Sequence, residues 1–99
     1  MISKASADFK SIRAETIEIV DPNGETRIVL DASMGEGYGC IALYSPAGAV
    51  INISINPDGS SSILFSKVGG AAVMSLSVLP NGDPKIVVQE NGRPKVVSG

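Results

Sequence analysis

Glycine-centred turns recur along this chain at a step close to eleven residues, and that spacing leaves few folds open. Asp21-Pro22-Asn23-Gly24, Ser45-Pro46-Ala47-Gly48, Asn56-Pro57-Asp58-Gly59 and Leu79-Pro80-Asn81-Gly82 share an x-Pro-x-Gly form. Proline presets φ at the second turn position, Asn or Asp tolerates the bridge region at the third, and glycine takes positive φ at the fourth. The pattern reads as a type I turn followed by a left-handed residue, a common hairpin connection. Lys67-Val68-Gly69-Gly70 and Gln89-Glu90-Asn91-Gly92 hold equivalent places without proline, and Gly37 marks a further corner. Gly24, Gly37, Gly48, Gly59, Gly70, Gly82 and Gly92 are thus separated by 13, 11, 11, 11, 12 and 10 residues. A near-constant period with a turn in each repeat is the mark of a tandem architecture, here eight short strands of about seven residues.

Strands are predicted over 14–20, 26–31, 39–45, 49–55, 61–67, 72–78, 85–89 and 94–98. Residues 1–12 read as a flexible N-terminal arm, in which Phe9 and Ile12 are free to pack on a neighbour, and residues 13–99 as a single β-repeat domain. Side-chain phase counted from the glycines supports this division. Four and six residues after five of them stand Ile28 and Leu30, Ile41 and Leu43, Ile63 and Phe65, Met74 and Leu76, and Ile86 and Val88. Gly48 breaks the phase by one, giving Ile51, Ile53 and Ile55, so a bulge or tighter turn is expected there. With Ile17, Ile19, Val78 and Val96, one face collects 17 sizeable apolar side chains. The opposite face mixes small and polar residues with about one aliphatic per strand, among them Glu18, Val29, Cys40, Ala42, Tyr44, Asn52, Ser54, Leu64, Ser75 and Val87.

Short connections make sequential strands antiparallel neighbours, so the fold class is all-β, an antiparallel up-and-down meander. Left flat in water, the apolar face would forfeit on the order of 30 kcal/mol of burial. The sheet therefore closes on itself or packs on another chain. An eight-stranded small barrel would be filled by such side chains, leaving little room for a ligand. Alternatively, three copies pack their apolar faces about a common axis in a β-prism. The aliphatics on the second face, and the unpaired edges that the first and last strands would expose, favour the homo-oligomer, with a trimer preferred.

Composition removes several function classes. Eight basic and ten acidic residues give a net charge of −2 with no basic stripe, so nucleic acid is not an expected partner. Histidine is absent, which takes away the commonest general base and the commonest metal ligand together. Cys40 is the single cysteine, so no intrachain disulfide forms. The N-terminal MISKASADFKS has no apolar core of signal-peptide length, and no apolar run reaches bilayer-spanning length. The expectation is a soluble chain without a membrane partner, cytoplasmic or virion-associated.

The run Ile19-Val20-Asp21-Pro22-Asn23-Gly24-Glu25-Thr26-Arg27-Ile28-Val29-Leu30, followed by Leu43-Tyr44-Ser45-Pro46-Ala47-Gly48, resembles a degenerate bacterial and phage β-repeat of the form L-x-D-x-x-G-x-x-R-x-x-L. The arginine survives as Arg27, with Lys95 at the equivalent place and Ile51 and Val73 in the middle repeats. The resemblance implies a repetitive β module in small proteins or in surface- and tail-associated ones, and it brings no catalytic residues.

The candidate chemistry is thin. Gly35-Glu36-Gly37-Tyr38-Gly39 approaches a dinucleotide loop, but Cys40 stands where the third glycine belongs and no helix is expected to follow. Asp21 with Asn23, and Asn56 with Asp58, are oxygen pairs of the kind calcium uses, yet turn geometry already accounts for them. Asn52-Ile53-Ser54 fits a glycosylation pattern in mid-strand. Cys40 lacks a histidine partner and reads as packing, while Asp31, Glu36 and Asp83 lie in or beside turns with nothing fixing a catalytic separation. Tyr38 and Tyr44 are the aromatic platforms on which a sugar could stack. The expected function is a non-enzymatic structural or assembly module without cofactor or metal, whose partner is itself. The alternative is a glycan- or small-ligand-binding module using Tyr38 and Tyr44.

Overall fold

The computed structural model describes residues 8–68, 70–90 and 92–98. Eight strands follow one another: β1 (Thr16–Val20), β2 (Thr26–Asp31), β3 (Gly39–Ser45), β4 (Gly48–Ile55), β5 (Ser61–Ser66), β6 (Ala72–Val78), β7 (Pro84–Glu90) and β8 (Arg93–Ser98). They form one antiparallel meander in chain order, and no helix occurs among the described residues. Each predicted strand is present, with bounds displaced by two residues at most. Of the predicted N-terminal arm, residues 1–7 lie outside the described residues. Phe9 and Ile12 precede the sheet and are exposed.

The turns form for the reasons their residues suggest. Gly24 N–H donates to the Asp21 carbonyl at 2.9 Å, and Asp21 N–H to the Glu25 carbonyl at 2.8 Å. The same frame closes Asn56–Ser60, Lys67–Ala71 and Leu79–Asp83. Gly24 and Gly59 hold φ of 82° and 90°, the left-handed residue that lets a three-residue loop rejoin the ladder. Ser45–Gly48 is tighter, with the two ends paired directly and only Pro46 and Ala47 between them. Gly48 is therefore already a paired strand residue, which explains the broken phase after it; a register shift follows at Leu43/Tyr44. Shifts at Ile19/Val20 and Phe65/Ser66 mark similar bulges in the β1–β2 and β5–β6 hairpins, with Arg27 and Val73 as the extra residues.

Pairing lines the apolar residues into two rows that cross the sheet at right angles to the strands. One runs Ile17, Leu30, Ile41, Ile53, Ile63, Leu76, Ile86. The other runs Ile19, Ile28, Leu43, Ile51, Phe65, Met74, Val88. The last strand departs from the expected phase. Val96 pairs with Val87 and so belongs to the opposite face, while Lys95 pairs with Val88 and stands on the apolar one. The cause is that pairing from Glu90 and Arg93 runs uninterrupted to Val87 and Val96, the register shift coming only beyond them at Ile86/Val87 and not beside the turn as in β1–β2 and β5–β6. An inward-pointing charge on an edge strand is a common protection against unwanted pairing.

The small barrel is not formed. β1 and β8 are the two edges of an open sheet. Closing eight strands requires them to tilt, which offsets first from last by about eight residues. Strands of 5 to 8 residues, all at one level, are too short to overlap after that offset. The radius of gyration of 16.4 Å, against about 13 Å for a compact domain of this length, reflects the single layer.

The turn chemistry yields a signed pair of outcomes. Gly59→Ala introduces a Cβ into open space but at φ +90°, so it should destabilise by about 1 kcal/mol. Gly39→Ala also meets nothing within 4 Å and carries no left-handed φ, so it should stabilise by about 0.5 kcal/mol. Urea unfolding of the two variants at one protein concentration reads both signs.

Candidate functional site

The most prominent feature of the surface is the apolar face. Its neighbours on adjacent strands are large aliphatics with no second layer above them, so even mid-sheet residues reach water. Ile41 and Ile53, at the centre of the sheet, remain 38% and 37% exposed. Among the described residues, Ala42 is the one buried hydrophobic side chain, and it lies on the opposite face between Val29 and Asn52. Total accessible surface is 7566 Å², whereas a compact monomer of 10.2 kDa would expose about 5,300 Å². Two shallow hollows indent the face. One of about 530 Å³ lies over Ile53, Ile55, Ile63, Leu76, Val78 and Ile86. Another of about 320 Å³ lies over Ile17, Leu30, Ile41 and Ile53 beside Ala14 and Glu15. Their walls are aliphatic, which suits contact with another apolar surface rather than chemistry on a polar substrate.

The opposite face carries a row of short polar side chains, Thr16, Asp31, Cys40, Ser54, Ser62 and Ser77, that ends at Lys85. Ser54 and Ser62 hydroxyls lie 3.3 Å apart and satisfy each other across β4 and β5. Ser54 is 8% exposed, so the Asn52-Ile53-Ser54 pattern lies within a paired strand. Cys40 is half-buried in that row between Asp31 and Ser54.

Of the acidic residues singled out in the sequence, Asp21, Asp31, Asp58 and Asp83 are engaged in local hydrogen bonds. Asp21 Oδ1 accepts Asn23 N–H at 2.8 Å and Glu25 N–H at 3.1 Å, while Oδ2 accepts Arg27 Nε–H at 2.9 Å. Hydrogen bonding from the Glu25 backbone, then from Asn23 and Arg27, holds the Asp21 carboxyl below its ordinary value of 3.8 against a smaller desolvation effect. The bulge opposite Ile19 and Val20 sets Arg27 within reach of its partner, so the D-x-x-G-x-x-R spacing has a physical basis as a turn clamp. Charge alternation alone does not show this ion pair; aspartate opening a turn, with arginine six residues on, is the signal that could have found it.

Asp58 Oδ1 accepts the Ser60 hydroxyl at 2.6 Å and its N–H at 2.8 Å. Those Ser60 bonds, the hydroxyl first, lower the Asp58 pKa. Asp31 is lowered likewise by the Ser33 hydroxyl and backbone, with Thr16 adding to the effect. Asn56 Nδ2 donates to the Ser60 hydroxyl, and Asp83 Oδ2 accepts from Asn81. The carboxylates of Asp21 and Asp58 and the amide of Asn56 are thus directed into their own loops.

The glycine-rich loop closes differently from a phosphate cradle. Tyr38 N–H is turned to the Gly35 carbonyl at 3.2 Å, and Gly37 at φ 77° approaches Pro57 of the neighbouring turn. β3 follows it directly. Tyr38 immediately precedes β3 and Tyr44 stands near the far end of the same strand. Six residues of extended chain separate them by about 20 Å, so they do not form one platform. Tyr38 is half-buried and Tyr44 is 36% exposed.

Comparison with family models, with curated proteins and with solved structures returns no match for this chain. No helix among the described residues is long and apolar enough to cross a membrane.

The lowered carboxylates give a pH dependence of known sign. A folded-state pKa below the unfolded one contributes stability that is fully present above the unfolded value and lost as pH falls through the folded one. Stability from Asp21, Asp31 and Asp58 should hold from neutrality down to the ordinary carboxylate value of 3.8 and decline below it. Urea midpoints measured down the acid range check this, and Asp21→Asn combined with Asp58→Asn should flatten the decline.

Proposed function

We propose that this chain is a non-enzymatic structural module that self-associates through the apolar face of its sheet and serves as a scaffold, stalk or attachment element. The observation that carries this reading is the uncovered pair of aliphatic rows on an open sheet. The chain exposes more surface than a compact monomer of its mass, and the uncovered aliphatic rows are part of that excess. Second copies are suited to cover it because the face is aliphatic along its length and self-complementary in chemistry, with charge confined to its turn ends and β8. The polar opposite face can meet solvent. The resemblance to bacterial and phage β-repeats agrees with a role in a tail- or surface-associated assembly. The one Asp–Arg pair of that form in this chain, Asp21 with Arg27, supports this by acting as a turn bond rather than a reactive group. A glycan-binding role has less to stand on, since Tyr38 and Tyr44 lie at opposite ends of β3.

The reading is tested by charging one face at a time. Leu76→Asp places a carboxylate in the middle of the aliphatic rows and should cost more than about 3 kcal/mol, seen as loss of the associated species or of folding. Glu18→Lys, on the polar side of β1, should leave both unchanged. Equal tolerance of the two changes in size-exclusion chromatography and circular dichroism would overturn the proposal.

A further inference from the structure

We propose that β1 is the edge at which a second copy joins, its own β1 lying antiparallel alongside so that two sheets become one. Taking a copy of this chain as the neighbour rests on the self-association proposed above. The two edges of the sheet are built differently, and the difference decides which of them is open to pairing.

β8 is closed by its own residues. Pro94 pairs with Gln89. A proline fits a ladder only where its nitrogen points away from the neighbouring strand, so the free side of β8 presents a ring where a donor would stand. Lys95 stands on the apolar face beside Val88, a charge that any strand laid against β8 would have to cover. Val97 is the extra residue at the Ile86/Val87 register shift, and such a bulge bends the far end of the edge.

β1 carries none of these devices. Ala32 N–H donates to the Glu15 carbonyl and Asp21 N–H to the Glu25 carbonyl, each at 2.8 Å, so the odd-numbered residues turn their backbone groups toward β2. The extra residue of the β1–β2 bulge is Arg27, on β2, and alternation along β1 is unbroken. Thr16, Glu18 and Val20 therefore aim N–H and C=O away from the sheet, and among the described residues no backbone hydrogen bond from outside it reaches them. A row of free donors and acceptors on a strand without proline or lysine is a template for strand addition.

The same comparison selects the occupant. β8 of another copy lacks the donor at Pro94 and brings Lys95 to the joint, which disfavours head-to-tail addition. β1 against β1 is self-complementary and closes on a two-fold axis. That axis stands normal to the sheet, so Ile17 and Ile19 of both copies lie on one side and the aliphatic rows run on across the joint. Setting Thr16 opposite Glu18 of the other copy keeps the two Glu18 carboxylates apart, since like charges directly opposite destabilise a strand pair.

Glu18→Pro tests the joint, because it removes one outward N–H and leaves the bonds to β2 in place. In native mass spectrometry of the full chain, the unmodified protein should hold an even number of 10.2 kDa chains. Glu18→Pro should halve that mass with the β-sheet circular dichroism retained. Val96→Pro, two residues beyond Pro94 and so at an outward position of β8, should leave the mass unchanged. Amide hydrogen exchange reads the joint without a substitution: Thr16, Glu18 and Val20 should exchange at least about tenfold more slowly than Val96. A folded Glu18→Pro protein that keeps the full mass, or Thr16 and Glu18 amides that exchange as freely as that of Val96, would overturn edge pairing and leave association through the apolar face standing. A single-chain mass for the unmodified protein would overturn both.

Discussion

The molecule depends on one constraint: every strand contributes to a single layer, so the large aliphatics of one face have neighbours beside them but nothing above. In a two-layer domain the hydrophobic driving force is spent inside the chain. Here lateral contacts along two rows, from Ile17 to Ile86 and from Ile19 to Val88, hide the flanks of each side chain and leave its tip in water. Burial within one chain is therefore incomplete by construction, and the remaining surface is what the proposed association would cover.

The hairpins are made locally, by groups close in sequence. Asp21 binds two backbone N–H groups and Arg27 within one turn, and Asp58 and Ser60 repeat the economy in another. Such bonds are exposed, and individually their effect is modest. Their consequence is register. A hairpin with a fixed loop length has a fixed pairing, and fixed pairing keeps the aliphatics of adjacent strands opposite one another. Function, on this account, resides in shape and stacking, with the polar groups serving the turns.

Much of this was legible in the chain because both periodicities are local. Turn residues at a step near eleven and alternation within each run place all eight strands, and the displaced phase of Ile51, Ile53 and Ile55 signals the tighter turn at Ser45–Gly48. The last strand was misread because the Glu90–Arg93 connection is shorter and its bulge lies at the opposite end, so extending the earlier phase put Val96 where Lys95 stands. Barrel closure was not decidable from periodicity, which carries no information on how pairing levels shift from strand to strand. The Asp21–Arg27 clamp needed the bulge geometry to become visible. Tyr38 and Tyr44, adjacent as candidates on paper, are separated by the extension of β3 itself.

If the uncovered face is completed by other copies, folding and association are one equilibrium, and stability must rise with protein concentration. Thermal unfolding followed over a hundredfold concentration range is the direct measurement. A midpoint that climbs steadily by several degrees is the expected result. A midpoint indifferent to concentration, with the same cooperative transition, would show that the single sheet is sufficient by itself and would contradict the account.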